Sequence, residues 1–325
     1  MKRVAIIGCG LIGDKRSRAL PGAAVTVCCD VNLARAEALA AKCPGSRATA
    51  NWEEAATAGD VDIVIVATIH SEPARISECA ARAGKHVLVE KPAGRRAAEL
   101  DPVIAAAEST GVRVRVGFNH RYHPAMLKAR EIVDSGVAGP LIIVRGRYGH
   151  GGRPKDTDWR AVAELSGGGE AIDQGMHLID LARWFLGDFS GVQGAVPTCF
   201  WNMEVEDNAF FLLKTEQGQF AQLHATWTEW KNMFSLEIYG CVGKIDIAGL
   251  GGSYGEEKLT YYQMVEGQIK PDMTVFEFEK EDRSWHREFE EFVRDIDEAR
   301  DPNPGLRDAQ AALRIVETVY KEQGR

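Results

Sequence analysis

A glycine-rich loop that directly follows an apolar strand pattern is the feature that most constrains this chain. Arg3-Val4-Ala5-Ile6-Ile7 is a short β-branched run, and it leads into Gly8-Cys9-Gly10-Leu11-Ile12-Gly13. Glycines at these spacings permit a tight strand-to-helix turn and close approach of a pyrophosphate to the backbone. Asp30 ends the next apolar run, where a carboxylate can accept hydrogen bonds from ribose hydroxyls. We therefore predict a dinucleotide site formed by Gly8, Gly10, Leu11, Ile12, Gly13 and Asp30.

The identity of the dinucleotide follows from the charge at Asp30. A carboxylate there repels the 2′-phosphate of NADP, so the sequence favours NAD. Three arginines lie nearby in the sequence, at positions 16, 18 and 35, and they leave NADP possible.

Strand and helix patterns alternate through residues 1–122. After the first two strands, near-continuous apolar runs occur at 61–67, 86–89 and 112–116, which suits strands covered on both faces. Segments of helical composition lie between them, at 33–41 and 74–83. This alternation predicts an α/β domain with a doubly wound parallel sheet over residues 1–122.

The pattern changes in residues 123–325, where we predict an α+β domain with a largely antiparallel sheet. A triple glycine at 167–169 precedes a predicted helix from about 170 to 186. The other predicted helices cover 125–135, 284–299 and 306–322, and the predicted strands cover 141–148, 209–215, 219–230, 235–239 and 244–247.

Composition and charge exclude several classes of protein. The net charge of −8 argues against nucleic acid as a partner, and no apolar run has the roughly 18–20 residues of a membrane helix. The N-terminus shows no signal-peptide pattern, so we expect a cytoplasmic protein. The seven cysteines are odd in number and form no CxxC pair, which favours buried thiols over a disulfide framework or a metal site.

Reactive side chains occur in two further motifs. Glu90-Lys91-Pro92 ends a predicted strand, at the edge of the sheet where ligands of open α/β folds bind. Asp173 and His177 have the i,i+4 spacing that places both on one helix face, about 6 Å apart along the axis. A histidine can take a hydroxyl proton, and a lysine ammonium can stabilise charge on the oxygen.

Each of these residues has a simpler interpretation. Lys91 alone could be a solvated lysine, and Asp173 with His177 could form a surface pair or half of a metal site. His120 and His123 are expected to be ordinary histidines of a loop or helix start.

Four motifs together resemble the Gfo/Idh/MocA family, which includes glucose–fructose oxidoreductase and inositol dehydrogenase. They are the glycine loop, Glu90-Lys91-Pro92, Gly117-Phe118-Asn119-His120-Arg121-Tyr122 and the segment from Gly167 to Asp180. The resemblance runs over essentially the whole chain in the same order. It implies an N-terminal Rossmann domain, and a C-terminal domain whose open-faced sheet serves a homodimer or homotetramer.

The resemblance also implies roles for individual residues. Lys91 would be catalytic and touch both substrate and nicotinamide, while Asp173 and His177 match the Asp-x-x-x-His pair, with His177 as acid/base. Further cofactor contacts are expected from Thr68, His70 and Glu90, and further substrate contacts from Asn119, Arg121, Trp159 and Arg160.

The sequence departs from the family pattern at two places. Thr68-Ile69-His70 stands where the family often has an Asn-His-like pair, which puts contacts to the nicotinamide half in doubt. The segment 153–160 lies in a loop that the family uses for substrate. There Trp159 and Arg160 would stack on and hydrogen-bond a sugar, or else anchor a packed loop.

The leading hypothesis is an NAD(P)-dependent oxidoreductase acting on a secondary hydroxyl or ketone of a sugar, nucleotide sugar or cyclitol. One alternative is a reductase of another small carbonyl or imine. The other is a regulator that binds cofactor without turnover, against which the intact Lys91, Asp173 and His177 argue.

Overall fold

The computed structural model describes residues 1–151 and 158–324. The chain forms two compact units. The first unit contains Met1–Phe118, Glu164–Gly167 and Trp285–Arg314, and the second contains Asn119–Ala163, Gly168–Ser284 and Ile315–Arg325. A late segment of the chain therefore returns to the first unit. The sequence-based division at residue 122 did not include this return.

The first unit is built on a six-stranded parallel sheet with the strand order β3-β2-β1-β4-β5-β6. This order is that of a doubly wound dinucleotide-binding fold, and it confirms the predicted fold class. The strands are β1 (Lys2–Ile7), β2 (Ala23–Cys29), β3 (Arg47–Thr49), β4 (Ile63–Val66), β5 (His86–Glu90) and β6 (Val114–Gly117).

Local signals explain where several helices begin and end. The side chain of Asn51 accepts hydrogen bonds from the N–H groups of Glu53 and Glu54, and Gly111 ends a helix in the left-handed conformation. The helices are α1 (Leu11–Ser17), α2 (Leu33–Ala40), α3 (Trp52–Thr57), α4 (Pro73–Arg82), α5 (Asp101–Thr110), α6 (Pro124–Asp134), α7 (Ala163–Ser166), α8 (Gly175–Leu186), α9 (Ser284–Asp297) and α10 (Leu306–Glu322).

The core of the first unit includes side chains from the distant helix α9. Phe289 and Phe292 are fully buried in the same apolar cluster as Val4, Ile6 and Ile63 of the sheet. Burying two phenylalanines contributes roughly 3–6 kcal/mol by area. The helix near the C-terminus is therefore part of the first unit's core.

The second unit contains an eight-stranded sheet with the order β14-β13-β12-β11-β7-β10-β9-β8. Only β10 and β7 pair in parallel, so the sheet is largely antiparallel, as predicted. The strands are β7 (Leu141–Gly149), β8 (Gly191–Ala195), β9 (Asn208–Lys214), β10 (Phe220–Thr226), β11 (Met233–Gly240), β12 (Gly243–Ala248), β13 (Lys258–Gln263) and β14 (Asp272–Glu277).

One face of this sheet is covered and the other is exposed. Helix α8 packs on β7 and β10. Along β9, Phe211 and Leu213 are buried, whereas Phe210 and Leu212 are 43% and 45% exposed. This alternation makes the sheet open-faced within the second unit. Assembly through that face stays a prediction.

Several features differ from the sequence-based expectations. Helix α8 begins at Gly175 rather than near 170, and β10 ends at Thr226 rather than at 230. The pattern analysis missed the short or exposed strands β3, β8, β13 and β14. All seven cysteines lie among the described residues as free thiols, but Cys199 and Cys241 are exposed rather than buried.

Two kinds of feature are absent from the described residues. Within that part of the chain, no helix combines the length and apolar character needed to cross a membrane. Over the same residues, the structure contains no group of three or more His, Cys, Asp or Glu side chains arranged to hold a metal ion.

Candidate active site

The glycine loop of the first unit is shaped by close backbone contacts. Gly8 has a positive φ of 99°, and a Cβ there would lie 2.3 Å from the carbonyl oxygen of Ala67. A Cβ on Gly13 would lie 2.0 Å from the carbonyl oxygen of Gly8. By contrast, a Cβ on Gly10 would meet nothing within 4 Å, and Leu11 is 74% exposed. Gly8 and Gly13 therefore serve packing, while Gly10 leaves open space beside the backbone.

Asp30 connects the end of β2 to this loop. Its carboxylate accepts hydrogen bonds from the backbone N–H groups of Cys9, at 2.9 Å, and Asn32, also at 2.9 Å. The residue keeps 9% of its surface exposed. Each oxygen therefore retains capacity to accept a further hydrogen bond, as a ribose hydroxyl would require.

Thr68 and His70 follow strand β4. The backbone N of Thr68 lies 3.0 Å from the position of a Cβ on Gly8, so Thr68 borders the glycine loop. The imidazole Nδ1 of His70 lies 2.9 Å from the carbonyl oxygen of Ser166, and the side chain is 6% exposed. The structure therefore gives His70 a contact within its own unit, and its role toward a cofactor stays a prediction.

Glu90 and Lys91 stand at the end of β5, on the same edge of the parallel sheet as the ends of β1 and β4. The Glu90 carboxylate is not a free ligand, because it accepts a hydrogen bond of 2.5 Å from Nε of the buried Arg16. A second nitrogen of Arg16 lies 2.6 Å from the carboxylate of Glu288. Lys91, half-buried, follows directly after this ion-pair cluster.

These residues fit a bound dinucleotide. A pyrophosphate needs a tight turn with open backbone, which the packed Gly8 and Gly13 and the open Gly10 provide. An adenosine ribose needs a carboxylate that can accept further hydrogen bonds, which Asp30 provides. Gly8, Gly10, Leu11, Ile12 and Gly13 would border the pyrophosphate, and Asp30 would hold the ribose.

In the second unit, two predicted substrate residues are engaged by protein partners. The guanidinium of Arg121 donates two hydrogen bonds, of 2.8 and 2.6 Å, to the buried carboxylate of Asp180. The amide of Asn119 donates to the hydroxyl of Ser284 at 2.9 Å. Both side chains are buried. Their visible contacts are structural, and a direct role in binding substrate stays a prediction.

His177 lies in a buried cluster of rings near the start of α8. Its ring stacks on His120, with centroids 3.7 Å apart and planes inclined by 15°. Tyr148 on β7 meets both rings edge-on, at 5.0 Å from His120 and 6.1 Å from His177. The pKa of Tyr148 lies well above its usual value, mainly because the phenol is buried. The charge of Tyr254 and the hydrogen bond to Tyr254 raise the pKa of Tyr148 further.

Asp173 precedes α8 rather than lying within it. Its backbone N–H donates to Gly169, and Gly175 N–H donates to Glu170 across a wider turn, so the helical-face argument for Asp173 and His177 does not apply. The Asp173 carboxylate lies 3.5 Å from Nε of Arg160, and the Arg160 guanidinium lies 4.5 Å above the ring of Trp159. Trp159, Arg160 and Asp173 therefore form one polar–aromatic chain.

The preceding part of the predicted substrate loop, Arg153-Pro154-Lys155-Asp156-Thr157, lies outside the described residues.

Glu206 organises the segment that leads to Asp173, and sequence reasoning missed it. Its Oε1 accepts hydrogen bonds from the N–H groups of Gly169 and Ala171, both at 3.0 Å, and from the hydroxyl of Tyr320 at 2.6 Å. Burial raises the pKa of Glu206 above its usual value, because it outweighs these hydrogen bonds, which lower the pKa. No local motif marks this residue, because its partners lie 35 or more positions away along the chain.

The sequence analysis also missed the roles of His120 and Tyr148 in the ring cluster. The sequence alone predicts an ordinary loop histidine at position 120, and at Tyr148 it predicts only a strand residue. A signal was available for His120, since it lies in the same motif as Asn119 and Arg121.

Comparisons with known proteins agree with this geometry. Residues 2–118 match a family model described as an oxidoreductase family with an NAD-binding Rossmann fold, and residues 126–246 match the GFO/IDH/MocA C-terminal domain. The first match confirms NAD as the predicted cofactor of the first unit.

Curated relatives include two dehydrogenases. Levoglucosan dehydrogenase of Pseudarthrobacter phenanthrenivorans is 30% identical over 52% of this chain and 44% of its own length. Inositol 2-dehydrogenase 2 of Saccharopolyspora erythraea is 30% identical over 66% of this chain and 63% of its own length. The chain thus spans less than two thirds of each of these relatives.

A solved structure shares the fold over nearly the whole chain. The complex of levoglucosan dehydrogenase with NADH superposes with a TM-score of 0.90, at 21% identity, and covers 99% of this chain and 97% of that one. Because models of both domains of one family match in order and together span most of the sequence, the chain belongs to the GFO/IDH/MocA family of oxidoreductases.

Proposed function

We propose that this chain is an NAD(P)-dependent dehydrogenase that exchanges hydride with a secondary hydroxyl or ketone of a sugar, nucleotide sugar or cyclitol. The observation that carries the proposal is the cluster around His177, where a buried imidazole lies among titratable side chains. This cluster occurs in a chain whose other unit is an NAD-binding Rossmann domain. The names of the relatives, levoglucosan and inositol dehydrogenases, support a polyol or sugar substrate.

Each proposed catalytic side chain has a defined task. In the oxidative direction, an imidazole nitrogen of His177 accepts the hydroxyl proton as the carbonyl forms. The ammonium of Lys91 donates a hydrogen bond to the same oxygen and stabilises negative charge on it. The Asp173 carboxylate, next to Arg160, would accept hydrogen bonds from neighbouring substrate hydroxyls. When bound, oxidised NAD supplies the acceptor for the hydride.

A coupled assay tests the proposal. The purified protein is supplied with NAD⁺ or NADP⁺ and a panel of cyclitols, anhydrosugars, aldoses and nucleotide sugars, and NAD(P)H absorbance is followed. With the best substrate, His177→Ala should lower kcat by about 10²–10⁴-fold and Lys91→Ala by about 10²–10³-fold.

Lys85→Ala is the matched control for Lys91→Ala. Lys85 lies just before the other end of strand β5, and its ammonium donates to the carbonyl oxygen of Val61. Its substitution should leave kcat unchanged. Near wild-type turnover in both Lys91→Ala and His177→Ala would overturn the assignment. Tight NADH binding with no turnover on any substrate would favour a regulator instead.

A further inference from the structure

The stacked rings of His120 and His177 are both buried, with only 5% and 4% of their surfaces exposed. Their centroid distance of 3.7 Å means that two imidazolium ions would face each other with little water between them. Protonation of one ring therefore opposes protonation of the other. Groups that interact this strongly bind protons as a pair and not as independent sites.

The surroundings of the pair contain other titratable groups. His123 lies edge-on to His120, with centroids 5.8 Å apart, and Tyr148 contacts both rings. The raised pKa of Tyr148 keeps this phenol neutral across the range in which histidines titrate. Asp173 and Glu170 act on Tyr148 and Tyr254, and Glu257 and Asp282 lie against His123. Asp180, three residues after His177, is paired with Arg121, the residue that follows His120.

His123 is occupied by its own partners. Its Nδ1 lies 3.0 Å from Glu257, and its Nε2 lies 3.8 Å from Asp282. The stacked neighbour of His177 is His120, so His120 is the ring whose charge acts most directly on His177.

We propose that His120 is a positioning residue that takes up a proton in place of His177 and so preserves neutral His177 as pH falls. The catalytic meaning of this proposal rests on the proposed function, in which neutral His177 is the base. A singly protonated pair carries its proton on one ring or the other. In every molecule that carries it on His120, His177 remains able to accept the hydroxyl proton. Only the second protonation, which the stack opposes, removes the base from all molecules.

This arrangement predicts how the pH profile depends on His120. His120→Phe keeps a flat ring against His177 but binds no proton. His177 then titrates alone, and the acidic limb of kcat/KM for substrate oxidation should move to higher pH by about one unit. The reason is that two positive charges about 4 Å apart repel each other by more than the free energy that corresponds to one pKa unit. A role confined to packing would leave the limb in place.

The experiment combines kinetics with NMR. Protein carrying ¹⁵N-labelled histidine is titrated as wild type, His120→Phe, His120→Gln and His177→Phe. Among the signals of the eight histidines, those of His120 and His177 are assigned by their loss in the variants. In the wild type, both rings should titrate in two steps. His177 should titrate in a single step in each His120 variant, and His120 in a single step in His177→Phe.

His224→Phe is the control. His224 stacks on Phe210 in the same unit, with centroids 4.2 Å apart, but it has no second histidine against its ring. Its substitution should leave the His177 titration and the pH profile unchanged.

The outcomes separate this inference from the proposed function. If the protein turns over no polyol or sugar, the proposed function fails, but the NMR titration still decides whether the rings are coupled. If turnover depends on His177 while the His177 titration is the same with and without His120, the inference fails alone. Thermal unfolding identifies any misfolded variant, and His120→Gln and His177→Phe then provide independent tests of the coupling.

Discussion

The carboxylate of Asp30 accepts a hydrogen bond of 2.9 Å from the backbone N–H of Cys9, and so joins the end of β2 to the middle of the glycine loop. A residue chosen from the sequence for its contact with a ribose therefore also holds the loop that would border the pyrophosphate. The position of the loop and the proposed choice of cofactor therefore involve the same side chain.

Asp30→Ala should weaken NADH binding by about 10–100-fold, since a hydrogen bond to a charged group contributes roughly 1.5–3 kcal/mol. The loss for NADPH should be smaller, because the substitution also removes repulsion of the 2′-phosphate. Fluorescence titration with both dinucleotides measures the ratio. Asp62→Ala is the control, since Asp62 also bridges strands through Arg3 but precedes β4 at the opposite edge of the sheet. An unchanged NADH to NADPH ratio in Asp30→Ala would contradict the assignment.

Alanine at Gly13 should mainly lower stability, whereas alanine at Gly10 should mainly lower NADH affinity. The Gly13 Cβ would collide with the Gly8 carbonyl, so Gly13→Ala should destabilise the protein by at least about 2 kcal/mol. The Gly10 Cβ meets only open space, so Gly10→Ala should unfold near the wild-type midpoint while losing NADH affinity. Chemical denaturation and NADH titration on both variants check this. Equal NADH affinity in Gly10→Ala and wild type would show that the open space is not where the cofactor lies.

Arg16 should contribute strongly to stability, because its guanidinium lies between the carboxylates of Glu90 and Glu288 and is fully buried. Burial raises the pKa of Glu288 against the charge of Arg16. Arg16→Met removes the cation that lies between the two carboxylates and should lower the free energy of unfolding by about 3–5 kcal/mol. Arg18→Met is the control, since the exposed Arg18 pairs with Asp14 on the helix surface. Urea unfolding that ranks the two variants equally would refute the role of Arg16.

Glu257 should make stability depend on acidic pH. Burial alone raises the pKa of Glu257, but the hydrogen bond and charge of His123 and the N–H groups of Ala125 and Gly251 more than offset this and hold the pKa below its ordinary value of 4.5. A depressed folded pKa stabilises the protein above the ordinary value, and this contribution is lost as pH falls through the folded pKa.

Glu257→Gln should therefore be less stable than wild type near neutral pH by about 1–3 kcal/mol, and the difference should shrink as pH falls below 4.5. Denaturation curves over this pH range measure it. The neighbouring Glu256→Gln, at an exposed side chain paired with Lys280, should follow the wild-type curve throughout. A constant gap between Glu257→Gln and wild type would show that the carboxylate's charge is not involved.

Local patterns in the sequence determined much of the first unit. The glycine loop, the apolar strands and the acid at Asp30 lie within 30 residues of one another, so their spacing alone predicts a βαβ unit. The alternation of strands and helices also predicts that the strands are parallel, whereas their order is given by the structure. In the second half, α10 has the bounds predicted from its pattern, because a long periodic helix carries a strong signal. The short strand β3 was missed because three residues show no periodicity.

Only the tertiary structure decided which distant residues meet. It brings α9 into the core of the first unit, Glu288 to Arg16 and Glu206 to the loop before Asp173. It also shows that Asp173 precedes a helix which begins at Gly175. His120 and His177 are separated along the chain by α6, β7 and α7, and nothing in either local pattern indicates that their rings stack. Spacing along the chain fixes local conformation, but contacts between remote side chains depend on how whole elements pack, and no single segment of the sequence encodes that packing.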